Sequence, residues 1–193
     1  MSRIPMVPKA PEDAATKALF DEVSAARGPG FEMPHLYRIL GQSPAMFRAW
    51  LNFAWPLRLK ARTPRKMREL LILRGAQISE TAYEWTHHVP MALEAGVTQA
   101  QIKALPTWSA SDQFDAREKA VLRLVEEITR GPAASEASIE NLKQQGFDHG
   151  EIVELVLTAS FYVCVSRFLK SMDVDLEPKY ETYLADFRPS EAD

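Results

Sequence analysis

The sequence is most informative first for what it lacks. It has a single cysteine, Cys164, so one chain can hold neither an intramolecular disulfide nor a Cys-rich zinc site. A CxxC redox pair is excluded for the same reason. No excess of positive charge is present: 23 basic against 26 acidic residues leave a net charge of −3. That balance argues against a dedicated nucleic-acid binder, which carries a basic stripe. The most apolar run, Ile152 to Val165, is interrupted by Glu154 and followed by Arg167 and Lys170. A membrane span needs about 20 apolar residues, so this run reads as a buried helix. The N-terminus has no apolar core of signal-peptide length, and a cytoplasmic, non-membrane protein is expected. Walker A, GxSxG, HExxH and EF-hand patterns are all missing.

Strand signals are also missing, because no window alternates apolar and polar residues. Helical periodicity dominates instead. Ala15, Leu19, Val23 and Ala26 mark a first helix over 11–27, stopped by Gly28-Pro29-Gly30. Ser43-Pro44 and Thr63-Pro64 read as helix starts, with Pro at the first helical position. Pro56 and Pro90 are expected to kink or end their helices. Further helices are predicted over 80–95, from about 99, over 113–130 and 136–145, and from about 149. Gly96 closes the first of these, and Thr98-x-x-Gln101 and Asp148-x-x-Glu151 are capping boxes. The reading is an all-α domain of about eight helices over 1–193, with an N-terminal helical extension over 1–30 and a polar tail over 176–193. The apolar segments 66–78 and 150–163 are expected to pack together.

The chemistry concentrates between Glu69 and Gly96. Glu80, Glu84, His87 and His88 follow at i, i+4, i+7 and i+8, close to one helix face. A carboxylate four residues before a histidine can bond the imidazole and fix its tautomer, so Glu84 is expected to support His88. Glu69 reaches the same region if the two helices form an antiparallel hairpin, where it could orient His88 or shuttle a proton. His88 is the candidate acid, and Arg74 the candidate carboxylate clamp. Tyr83, Trp85, His87 and Glu80 complete the candidate substrate contacts, although such aromatics more often anchor a core. Trp50, Trp55 and Trp108 are weighed in the same way. Arg58, Lys60, Arg62, Arg65, Lys66 and Arg68 form the one basic concentration, suited to an anionic substrate. No metal site is assigned.

Residues 68–105 resemble the carboxymuconolactone decarboxylase family, which includes the AhpD-like alkylhydroperoxidases. The resemblance rests on Arg68-Glu69-Leu70, Tyr83-Glu84-Trp85, His88 and Ala95-Gly96-Val97. It is best over 62–105 and weaker over about 30–175. It implies an AhpD-like helical fold with a central hairpin, and a homo-oligomer, a trimer or hexamer. In the redox branch a helical Glu precedes CxxC and a His. Here the Glu and His positions fall on Glu69 and His88, while the cysteine positions fall on Thr81 and Glu84. Both sulfurs are missing, and Cys164 is expected to be buried and inert, so peroxidase activity is disfavoured. The non-redox branch implies a cofactor-free enzyme resembling gamma-carboxymuconolactone decarboxylase. It would act by acid/base chemistry on a small carboxylated or aromatic-derived compound, with Glu69, Glu84 and His88 at the site. A non-catalytic oligomeric binding protein is the remaining alternative.

Overall fold

The computed structural model describes residues 2–187. Among them are nine α-helices and no strand: α1 Ala14–Arg27, α2 His35–Leu40, α3 Pro44–Leu59, α4 Arg65–Ile78, α5 Ala82–Glu94, α6 Gln99–Ala104, α7 Ala116–Arg130, α8 Glu136–Gln144 and α9 His149–Met172. Short 3-10 turns cover Leu105–Thr107 and Pro178–Leu184. The helix beyond the expected eight is α2, one and a half turns long and too short to show periodicity.

Local signals explain most boundaries. Asp13 caps α1 by accepting from the Thr16 amide at 2.7 Å. Thr98/Gln101 and Asp148/Glu151 both form reciprocal capping boxes, and Asp115/Glu118 forms a third at the start of α7. Ser43 makes no side-chain cap bond, although Pro44 does open α3. Pro56 and Pro90 lie inside α3 and α5 without ending them.

Helix α4 runs through the middle of the molecule, with Met67 through Gln77 all buried. One side packs with α7, α8 and α9 through Leu71, Ile72, Val121, Leu124, Leu142 and Leu155. The expected packing of 66–78 on 150–163 is therefore present. The other side packs with α5, α6 and α7 through Leu70, Leu73, Trp85, Ile102 and Leu122. At the α4–α7 contact a Cβ on Gly75 would lie 3.4 Å from Val125, an ordinary packing distance. Helices α1 to α3 build a separate cluster around Phe20, Phe47 and Leu51. By length and composition α9 is apolar enough to cross a membrane, but it seats Leu155, Ala159 and Leu169 in the core.

The α4–α5 hairpin turns through Glu80, at φ 52°. The Thr81 amide donates back to the Ala76 carbonyl at 2.9 Å and the Glu80 amide to the Gln77 carbonyl at 3.1 Å, a Schellman closure. Gly96, at φ 90°, makes the same closure after α5, with the Val97 amide bonded to the Ala92 carbonyl.

The segment after α9, expected as a polar tail, packs on α5 over its described part. Glu177 accepts from the His35 amide at 2.7 Å and the Tyr83 hydroxyl at 2.9 Å, and lies 3.1 Å from His87 Nε2. The Trp85 indole donates to the Tyr183 carbonyl at 3.1 Å. Residues 188–193 lie outside the described residues.

Candidate functional site

The hairpin brings Glu69 of α4 opposite His88 of α5. Glu69 is fully buried, and its Oε2 accepts from His88 Nδ1 at 2.7 Å. Its Oε1 forms an ion pair with Arg65, one turn earlier on α4. Burial alone raises the Glu69 pKa, but His88, Arg65 and Arg58 together outweigh it, and the carboxyl stays below 4.5. Burial holds the His88 pKa below 6.5, against the opposing pull of Glu69. The pair thus rests as carboxylate and neutral imidazole. Nδ1 carries the proton toward Glu69, and Nε2 keeps its lone pair and makes no hydrogen bond among the described residues.

Tyr162 of α9 meets the His88 ring edge-on, with centroids 5.0 Å apart. Burial pushes its phenol well above 10. Arg65 and Tyr162 also line a small cavity beside the pair, together with Arg58, Arg68, Leu57 and Thr158. Its free interior of about 10 Å³ has room for about one water. The arginines are tied to the end of α3. Arg68 donates to the Leu57 and Arg58 carbonyls, and Arg65 donates to the Arg58 carbonyl at 3.2 Å. These bonds satisfy the orphan carbonyls at that helix end. Three guanidiniums give the cavity a positive wall, although Arg65 is already paired with Glu69 and the space holds no more than about one water.

The other candidates are placed differently. Glu84 does not bond His88. It is buried, its Oε2 accepts from the Ser166 hydroxyl at 2.9 Å, and its Oε1 has no partner. The i, i+4 spacing was real, but Glu69 from the neighbouring helix took Nδ1, and α9 supplied a donor for Glu84. Burial raises the Glu84 pKa well above 4.5, against the opposing hydrogen bond from Ser166, and so favours the neutral acid. Arg74 is also engaged elsewhere. Its Nε donates to Glu126 at 2.8 Å and its Nη1 to Gln77 at 3.1 Å, and the Trp108 indole bonds the same Glu126 oxygen. Glu80 lies outside α5, exposed in the hairpin turn, 3.7 Å from Lys170. Tyr83 and His87 serve the C-terminal segment. The His87 ring stacks on Tyr83 at 4.1 Å and lies 3.9 Å from the Tyr180 ring, and its Nδ1 bonds the Tyr83 carbonyl. Trp85 is fully buried. Cys164, expected to be buried, is exposed. It lies two residues from Tyr162, about 200° around α9, and so faces away from the pair.

Reasoning from the sequence missed Tyr162, Ser166 and Glu177. None belongs to a local motif, because each acts across the fold. The basic run did carry signal, yet it divides. Arg58, Arg65 and Arg68 reach the cavity, whereas Arg62 bonds Asp148 at 2.9 Å and Lys66 pairs with Glu118 at 2.7 Å.

Residues 44–127, which span both hairpin helices and the Glu69–His88 pair, match the model of the carboxymuconolactone decarboxylase family. That match spans less than half of the chain and supports a relationship to the carboxymuconolactone decarboxylase/AhpD-like family. A curated relative is the uncharacterized protein YdfG of Bacillus subtilis (strain 168), 31% identical over 94 residues. That match covers 48% of this chain and 64% of YdfG. Among solved structures, an uncharacterized peroxidase-related protein with an AhpD core from Ralstonia eutropha JMP134 superposes with a TM-score of 0.80, at 18% identity and 97% coverage of both chains. A peroxidase-related protein from Silicibacter sp. TM1040 gives 0.76 at 16% identity, covering 93% of this chain and 95% of that one. The debrominase Bmp8, in complex with 2,3,4-tribromopyrrole, gives 0.74 at 15% identity, covering 97% and 100%. At these identities the structures establish the shared all-α fold.

Proposed function

We propose that this chain belongs to the carboxymuconolactone decarboxylase/AhpD-like family and is a cofactor-free enzyme that performs acid/base chemistry on a small carboxylated compound, in the manner of a decarboxylase. The observation that carries the reading is the buried Glu69–His88 hydrogen bond beside a cavity lined by three arginines. A substrate carboxylate would meet these arginines once the cavity opens beyond the one-water space it now has. When a carboxylate adjoining an unsaturated carbonyl leaves as carbon dioxide, its electron pair moves into that carbonyl system. The resulting enolate then takes a proton at carbon. His88 gains that proton at Nε2 from solvent and delivers it, while the Glu69 carboxylate stabilises the transient imidazolium. The net reaction consumes one proton. Glu84, protonated and one turn from His88 on α5, is a second proton store, and the opposed shifts of the two groups suit a donor–acceptor division.

Thr81 and Glu84 stand where the redox branch carries its thiols, and Cys164 faces outward, so a thiol peroxidase reading has no nucleophile at this pair. Exposed apolar side chains on α3 (Met46, Phe53, Leu59) and α9 (Val153, Leu157) support a homo-oligomer, a trimer or hexamer, which sedimentation equilibrium would test.

The direct test is carbon dioxide release from gamma-carboxymuconolactone and related unsaturated lactone acids. Wild-type protein turns over at least one, and His88→Gln lowers kcat by about 100-fold or more while keeping its circular dichroism. Undiminished turnover by His88→Gln overturns the reading.

A further inference from the structure

A cavity of about 390 Å³, larger than the one beside His88, lies where the C-terminal ends of α4 and α7 meet the last turns of α9. Ser79, Thr129, Ser166 and Ser171 line it with hydroxyls, Arg167 and Lys170 with positive charge, and two aliphatic side chains complete the wall. That volume lies within the range of small-molecule pockets.

Three features mark it as more than a surface hollow. Arg167 makes no ion pair with an acidic group among the described residues, so its charge is open to a ligand. Lys170 is partly committed, donating to the Ser79 carbonyl at 3.0 Å and lying 3.7 Å from Glu80. Ser166, 1% exposed, bonds the buried Glu84 on its inner side.

We propose that this cavity is a second ligand site, for a small organic carboxylate, with Arg167 holding the carboxylate and Ser166 reporting its presence to Glu84. A hydroxyl both donates and accepts. When Ser166 turns its proton to the ligand, its oxygen is left to accept from the protonated Glu84. The hydrogen-bonded line then runs from ligand to Ser166 to Glu84, on the α5 turn that precedes His88. This inference does not depend on the decarboxylase reading, since it concerns different side chains.

The test is calorimetric titration of the whole protein with succinate and, separately, inorganic phosphate. Parallel infrared difference spectra follow the carboxylic C=O band that Glu84→Gln removes. Succinate is expected to bind, with affinity about tenfold weaker in Arg167→Ala, a loss of about 1.4 kcal/mol. Affinity should be unchanged in Arg62→Ala, whose guanidinium is held by Asp148, and the Glu84 band should shift on binding. Loss of binding in Arg58→Ala but not Arg167→Ala would put the anion in the arginine-lined cavity and overturn the proposal. Binding of phosphate alone would overturn the carboxylate assignment. No binding of either, or a Glu84 band unmoved by bound succinate, would likewise contradict it.

Discussion

Glu69 holds His88 by Nδ1 at 2.7 Å across the central hairpin, and Arg65 holds the other oxygen of the same carboxylate. The carboxylate therefore orients the imidazole and neutralises a guanidinium at once. Glu69→Gln removes the charge that pairs with Arg65 and weakens the acceptor for His88 Nδ1. We expect a loss of about 1–3 kcal/mol, since Arg65 is partly exposed. Urea unfolding measures it, and a loss below about 1 kcal/mol would mean the pair is far wetter than its burial indicates.

Glu84 should give stability an alkaline liability. Its folded-state pKa lies well above the ordinary 4.5, with burial as the cause. A raised acid contributes stability that is complete below about 4.5 and is lost as pH rises through the folded value. Glu84→Gln should abolish this dependence, so that the variant gains on the wild type as pH increases. Thermal melts across pH 4 to 9 show the two curves diverging; parallel curves would refute the assignment.

Glu177 behaves in the opposite sense. Its pKa falls to about 2: burial opposes the shift, but His87 and the His35 amide outweigh it. A lowered acid gives stability that is complete above 4.5 and lost as pH falls toward 2. Acid should therefore free the segment after α9 from α5 before the core melts. Hydrogen exchange at Tyr180 and Tyr183 should accelerate between pH 4.5 and 2, and in Glu177→Gln it should already be fast at neutral pH. Protection that persists in the variant would contradict this.

Arg74 and Glu80 separate architecture from chemistry. Arg74→Met strands Glu126 and its bond from Trp108, so stability should drop by about 3–5 kcal/mol. The folded fraction should nevertheless keep the wild-type kcat. Glu80→Gly should raise stability by about 1 kcal/mol, because a non-glycine residue is strained at φ 52°. A specific loss of kcat in either variant would return that residue to the site.

How far the chain could be read from its sequence follows the range of each interaction. Helix starts such as Asp148/Glu151 are set by neighbours three residues apart, and they appear where the spacing predicts. The central hairpin and the α4–α9 contact follow from apolar periodicity. Glu69 and His88 are both visible as candidates, and Glu69 holds His88 as one reading allows, while the expected support from Glu84 is not formed. An i, i+4 neighbour on the same helix looks closest in sequence, while a facing helix can present a carboxylate at better geometry. Arg74 resembled a free guanidinium because Glu126 lies 52 positions away. Tyr162, Ser166 and Glu177 carried no local signature. Cys164 sits in an apolar stretch, yet its position around α9 turns it to solvent.

The most direct test of the Glu69–His88 base is nitrogen-15 NMR of the histidine rings at neutral pH, with His88 identified by its absence in His88→Gln. The account predicts a neutral ring, protonated at Nδ1 and bare at Nε2, that titrates below 6.5. A proton on Nε2 at neutral pH, whether as imidazolium or as the other tautomer, would contradict it.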